Sequence, residues 1–347
     1  MTLPAPSRPL TLGLFEKRID GDDCLMELAR LRFQQSGMGA EMHAGTPEEL
    51  NWSLRFRPSE DNPVTVHLPR SWRLIDAQCQ TGILHFASRF AGRVYGFVIH
   101  DHPDLATRSE EYVRAARELE SGAGEIPDCP MVFVEYAAGL ELSTFAEFFG
   151  SIRDLVRISA CIDIGHVGIQ QARNAYSKTH AGEDICALKS RKAALPSVMS
   201  DLQAAVNSST AAVLGLVEML GATHKPVHFH LHDGHPLSTF SPFGVSDHLS
   251  FLEEVPLDFE YLGRRSAPLM FGPSGLSRII AKALETIGGD RLSLALEIHP
   301  ASGRLPLGDA TPLFRHWSDK TNAERMNQWL SVLSENHRLL LQNSQCR

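Results

Sequence analysis

Eight short apolar runs, spread along the whole chain, each close on histidine, aspartate or glutamate. In order they are LTLGLFE to Glu16, GAEMH to His43, VTVH to His67, VYGFVIH to His100, MVFVE to Glu135, ISACIDIGH to Asp163 and His166, VHFHLHD to His230 and Asp233, and LSLALE to Glu297. One such run is ordinary. Eight of them, repeated along 347 residues, predict parallel strands that present polar side chains at one rim, where (β/α)₈ barrels keep their chemistry. Near-continuous apolar runs are also what strands covered by helices on the outside require.

The segments between the runs carry helical patterns. DDCLMELARLRFQQSG sets Leu25, Leu28 and Leu31 at three-residue steps, begins acidic and ends on Gly37. LIDAQCQTGILHFASRFAG, SEEYVRAARELESGAG and LSTFAEFFGSIRDL follow the third, fourth and fifth runs in the same way. Two insertions depart from a minimal repeat. Gln170 to Lys225 has room for a loop and helices over Lys192–Asn207 and Thr210–Leu220, and Pro236 to Ser274 reads as a long loop that could cover substrate. NAERMNQWLSVLSENHRLLLQ predicts a final helix packed outside the barrel or over its base. The alternation of strand and helix specifies α/β architecture, and eight units favour a closed barrel. The expectation is one (β/α)₈ TIM-barrel domain over 1–347, with extended loops at its C-terminal face.

Composition narrows the partners. A formal charge of −8 argues against broad attraction to a nucleic-acid backbone, though Arg70 with Arg73, or Lys189 with Arg191 and Lys192, could form local basic patches. The apolar stretches read as strand-sized, short of the roughly 20 residues that span a bilayer. MTLPAPSRPLTLG lacks the pattern of a secretory signal, so a cytoplasmic location is expected. Six scattered cysteines without a C-x-x-C pair suit reduced thiols, with Cys161 in the core.

Imidazoles and carboxylates gathered at one rim point to a divalent metal, for which these are the ordinary nitrogen and oxygen ligands. A single strand-end histidine is more often a hydrogen-bonded structural residue, so the argument rests on the set. The motifs resemble the xylose-isomerase-like barrels, the superfamily of endonuclease-IV-type enzymes and sugar isomerases and epimerases. CIDIGH resembles their D-x-x-H strand end, with Asp163 and His166. VHFHLHD resembles their H-x-x-D element, with His230 in the metal position. VEYAAG, LALE and DHLSF resemble the segments that carry the bridging glutamate, the last-strand glutamate and a late loop histidine, at Glu135, Glu297 and His248. His67 and His100 stand where endonuclease-IV-type enzymes have two further ligands.

The resemblance implies His67, His100 and Glu135 around one ion. It implies Glu135, Asp163, His230 and Glu297 around a second, and His166, Asp247 and His248 around a third. The chain departs from the family at the third group, because Asp247 adjoins His248 and Ser246 occupies the aspartate's usual slot. One to three ions are therefore expected, zinc or manganese, with iron also open. Glu135 and Glu297 are the catalytic candidates.

Two reactions use this set. In the first, a metal-activated water hydrolyses a small phosphoester. In the second, Glu135 and Glu297 move a proton across a sugar or sugar phosphate, giving isomerisation or epimerisation. The epimerases' arginine after the metal histidine is absent, with Pro236 in its place. A third reading is a barrel that binds metal or ligand without turnover. The expected partner is a small sugar-like or phosphate-like molecule, with no nucleic acid and no membrane; nothing legible sets the oligomeric state. Lesser candidates are His43 near substrate, His102, His232 and His235 beside ligands, and Asp233 orienting one. Trp72, Phe240 and Phe243 could be pocket walls, and His299 has the same ambiguity.

Overall fold

A computed structural model describes residues 8–15, 22–181, 183, 195–234, 248–252, 254–261, 263–298 and 321–345. Glu16, Lys189, Arg191, Lys192, His235, Phe240, Phe243, Asp247 and His299 lie outside the described residues.

Eight parallel strands close into a barrel. They are β1 (Leu10–Leu14), β2 (Gly39–His43), β3 (Val64–His67), β4 (Gly96–His100), β5 (Met131–Glu135), β6 (Ile158–Asp163), β7 (Val227–Leu231) and, after an inserted hairpin of β8 (Val255–Tyr261) and β9 (Arg264–Ala267), β10 (Leu292–Leu296). The order around the barrel is β1-β10-β7-β6-β5-β4-β3-β2. The chain is thus a (β/α)₈ barrel, and the strand pairings themselves establish it. Register sets strand ends abreast: His43 beside His67, His100 beside Glu135, and Asp163 beside His230.

The helices start and stop where side chains satisfy their free backbone groups. The Asp22 carboxylate accepts the Leu25 N–H at 3.1 Å and opens α1 (Asp23–Ser36). Gly37 closes it at φ +69°, a left-handed turn that glycine adopts without a Cβ penalty. The leucine row of α1 is not its core face: Leu28 and Leu31 are exposed, while Met26, Ala29 and Phe33 are buried. Strict three-residue steps drift away from the 3.6-residue period, and Phe33 recovers the true stripe. Thr46 caps α2 (Pro47–Ser53), and Asp76 caps α3 (Ala77–Phe90). α4 (Ser109–Gly124) and α5 (Leu142–Ser151) bury Tyr112, Leu119, Phe145 and Phe149. Each such side chain contributes about 1.5–3 kcal/mol.

The chain divides into two compact units. The first, over 1–163, 216–230 and 283–296, contains the barrel strands except the last residue of β7. The second takes in 164–215, 231–282 and 297–347. It holds α6 (Ile164–Thr179), α7 (Leu195–Val206), most of α9 (Gly272–Thr286), the β8–β9 hairpin and α10 (Asn322–Gln345), and it shares α8 (Ser209–Gly221) with the first. In α10, Trp329 donates its indole N–H to the Ile298 carbonyl at 2.9 Å, and the Asn336 amide oxygen accepts the Phe251 N–H at 3.0 Å.

Three expectations change. His166 lies in the first turn of α6, because β6 stops at Asp163 and the helix begins at the next residue. The Pro236–Ser274 segment contains an antiparallel hairpin and the start of α9, so it is not one long loop. Ser200–Gly221 is long and apolar enough to cross a membrane by length and composition, with a mean hydropathy of 1.3. It is two helices interrupted at Asn207 and Ser208, and Leu202, Val206, Val213, Leu216, Val217 and Leu220 are buried.

Candidate metal centre

The strand-end residues of the first unit converge on Glu135. This carboxylate is buried at the end of β5 and meets three imidazoles from three other strands. Its Oε2 lies 2.8 Å from His67 Nε2 and 3.4 Å from His100 Nε2, and its Oε1 lies 3.5 Å from His230 Nδ1. Burial alone would raise the Glu135 carboxyl. The imidazoles of His100, His230 and His67 beside it outweigh that and hold the group well below the usual carboxylate range.

This donor set fits a divalent ion. Two atoms that each ligate one tetrahedral ion at roughly 2.1 Å stand about 3.4 Å apart. The His100–Glu135 and His230–Glu135 separations match that figure. His67 makes a shorter, proton-bridged contact. Its Nδ1 lies 3.2 Å from the Leu68 carbonyl, which can only accept, so Nδ1 donates there and Nε2, against Glu135, is the nitrogen turned toward the cluster. His67, His100 and Glu135 each offer an atom within 4.8 Å of the others.

Behind this cluster lies a second set of buried polar residues. Glu41, in the middle of β2, is fully buried and faces two histidines of β7. Its Oε2 accepts from His228 Nε2 at 2.9 Å and from the Thr65 hydroxyl at 2.8 Å, and its Oε1 stands 3.0 Å from His230 Nε2. His228 Nδ1 lies 2.7 Å from the Ser293 hydroxyl. Burial presses His228 toward its neutral form, whereas Glu41 is held low by His230 and His228 despite its burial. Sequence reasoning missed both Glu41 and His228. The available signal was the strand period: Glu41 stands two residues before His43, and His228 two before His230, so each shares a face with a strand-end candidate. Cys161 is buried against Val98 and Phe133, in the core as expected.

Neighbours of the cluster hold its loops. The Asp101 carboxylate accepts the N–H groups of Ala137 and Ala138 at 2.8 and 2.6 Å, which fixes the turn after Glu135. Burial pushes Asp101 up to about 7, against the pull of those two N–H groups. His102 lies 3.1 Å from the Trp72 carbonyl, and Trp72 packs edge-on against Phe86. Both therefore serve the loop after β3 and the face of α3. His43 is exposed and stacks on His67 with ring centres 4.9 Å apart. Arg73 pairs with Asp104.

In the second unit, His248 Nε2 lies 3.3 Å from Glu297 Oε2, and His232 stacks on His248 with ring centres 4.2 Å apart. All three are buried and offer atoms within 4.8 Å of one another. His248 sits at φ +51°, uncommon for a residue with a side chain, immediately before Leu249, which forms an isolated bridge with Asp233. Gly165 makes room for His232: a Cβ there would lie 2.0 Å from the imidazole. Asp233, expected to orient a ligand, instead accepts the N–H groups of Gly234, Phe271 and Gly272 and anchors the start of α9. His166 is buried in α6.

No family model matches this chain, and no curated protein matches it. Among solved structures it is similar to the carboxyl transferase domain of Rhizobium etli pyruvate carboxylase. The structure with 3-bromopyruvate aligns at 10% identity and TM-score 0.40, over 97% of this chain and 48% of that one. The structure with oxalate aligns at 10% identity and TM-score 0.42, over the same shares. The chain spans about half the length of these neighbours.

Proposed function

We propose that this barrel is a divalent-metal enzyme of the xylose-isomerase-like kind that hydrolyses a small phosphoester. One observation carries the reading: the two oxygens of Glu135 address different imidazoles, Oε2 toward His67 and His100 and Oε1 toward His230. A carboxylate that bridges two ions needs its oxygens divided in this way. A single-ion sugar isomerase has no use for His67 and His100.

In this reading His67 and His100 would hold one ion and His230 another, with Glu135 a ligand available to both. Asp163, His166, His248 and Glu297 are ligand assignments that rest on the resemblance, and Glu297 is a second catalytic candidate on the same ground. A divalent ion, zinc or manganese with iron open, would supply Lewis acidity at the phosphoryl oxygens and a lowered pKa for the attacking water. The chain's own residues set the stage for this. Burial of His67 and Glu135 limits bulk water at the ligands, which strengthens every charge interaction there. Asp101 holds the turn that follows Glu135.

The isomerase alternative asks Glu135 to take up and release a proton. Imidazoles on both of its oxygens keep it anionic, which suits a ligand better than a base. The acidic charge favours a small substrate over nucleic acid, and a cytoplasmic location and action as a single domain belong to the same proposal.

The test is elemental mass spectrometry on protein purified without chelators, followed by a phosphoester panel. Two or more ions per chain with phosphoester turnover are expected. One ion would turn the reading toward isomerase chemistry, and none would overturn it.

A further inference from the structure

We infer that Glu41 is a positioning residue that fixes which nitrogen His230 offers to a metal: Nε2–H is held by Glu41, and Nδ1 is left for the ion. The inference rests on the metal reading of the Glu135 cluster and concerns a residue outside its ligand set.

Glu41 sits in the barrel interior with no exposure and faces His228 and His230 on β7. An ionised carboxylate only accepts hydrogen bonds. The Thr65 hydroxyl and His228 Nε2 donate to one oxygen, and His230 Nε2 stands in ion-pair contact with the other at 3.0 Å. With Nε2 turned to Glu41, Nδ1 is the ring nitrogen on the opposite side. That nitrogen is the one 3.5 Å from Glu135 Oε1. The two carboxylates thus face opposite nitrogens of a single imidazole, and His67 and His100 lie against the Glu135 carboxylate.

His228 completes the arrangement without being a ligand. Its Nε2–H goes to Glu41, so its Nδ1 accepts from the Ser293 hydroxyl at 2.7 Å. Both ring nitrogens are then used within the protein. The His228 ring crosses that of His230 at 85°, with centres 5.1 Å apart, which limits how His230 can swing. Carboxylates that orient a ligating imidazole commonly change metal affinity by 10–100-fold when removed.

Two measurements test this. The first uses the wild-type protein: ¹⁵N-resolved NMR of the histidine rings, free of metal and then with one zinc equivalent added. His230 is expected as the Nε2–H tautomer before zinc, with the zinc-induced shift on Nδ1. An Nδ1–H tautomer, or a zinc shift on Nε2, overturns the inference. The second is E41Q, followed by chelator competition with zinc alone and by the visible spectrum of the cobalt-substituted protein. Affinity should fall by roughly 10–100-fold and the cobalt spectrum should change, while T65V, which removes only one donor to Glu41, should fall in between. Wild-type affinity and spectrum in a folded E41Q would overturn the inference. If E41Q does not fold, the wild-type tautomer alone decides between the two outcomes. A wild-type chain that takes up no zinc would defeat the metal reading, and its metal-free tautomer would still decide the role of Glu41.

Discussion

The two ends of the barrel use their polar side chains differently. At the N-terminal end of β7, the Lys225 ammonium donates to the carbonyls of Ile152 and Leu155. Nearby, Glu120 accepts the N–H groups of Val156 and Arg157, and Ser159 donates to the Pro226 carbonyl. Each of these groups completes a piece of backbone. At the C-terminal end, His67, His100, His230 and Glu135 meet one another, and nitrogen and oxygen atoms converge. Buried polarity that closes on the backbone holds a fold together. Buried polarity that closes on other side chains leaves a ligand set behind.

This contrast is most exposed to E135A. The variant should lower turnover by on the order of 10³-fold or more, the scale for losing a group that stabilises charge in the transition state. Bound metal should fall with it, and the far-UV spectrum should be unchanged. A fully active, metal-loaded E135A would remove the C-terminal cluster from the chemistry. Next, H100A should lose one ion of two while keeping the barrel; elemental analysis reads this directly, and unchanged stoichiometry would demote His100.

At the other end, K225M should cost about 1–3 kcal/mol of stability, because two buried carbonyls lose their donor. Its metal content should equal that of the wild type. Urea denaturation and elemental analysis check both halves, and a loss of metal would erase the distinction between the ends. Subtler still is a slope with pH. Burial lowers the Lys225 pKa, so just below the ordinary lysine value the unfolded chain binds more protons than the folded one. Stability from this group therefore rises as pH climbs through that window. K225M should flatten the slope in denaturation midpoints taken from about pH 8 to 10.

The architecture was legible because its signal is periodic. The apolar runs locate all eight barrel strands, and β3, β4 and β5 end on the histidines and glutamate that close their runs. The convergence of His67, His100 and Glu135 was legible for the same reason: strand ends in a parallel barrel share a rim. Glu41 and His228 escaped because they lie inside strands, where a polar residue contradicts the apolar reading unless its partner across the barrel is known. That partner is remote in sequence, Glu41 on β2 and His228 on β7. His232 was weighed only as a companion of Asp233. Its stacking on His248 depends on the opening left by Gly165, which no spacing rule reports. The leucine row of α1 misled because helical faces are sensitive to period, and three-residue steps rotate off the stripe within three turns.

The seam between β1 and β10 pairs Leu10 with Ser293, so it joins stretches far apart in the chain, the second made long after the first. Until β10 emerges, β1 lacks that neighbour, and such open strand edges are where nascent chains stick to one another. The carboxylate of Glu41 is bound to the same schedule. Two of its partners belong to β7, and it can leave water at little cost only when that strand is in place. The polar interior of the barrel can therefore be completed only once β7 has been made. A chain stalled before β7 would expose not only apolar surface but also an unmatched charge, a handle by which a chaperone could tell it from the finished protein.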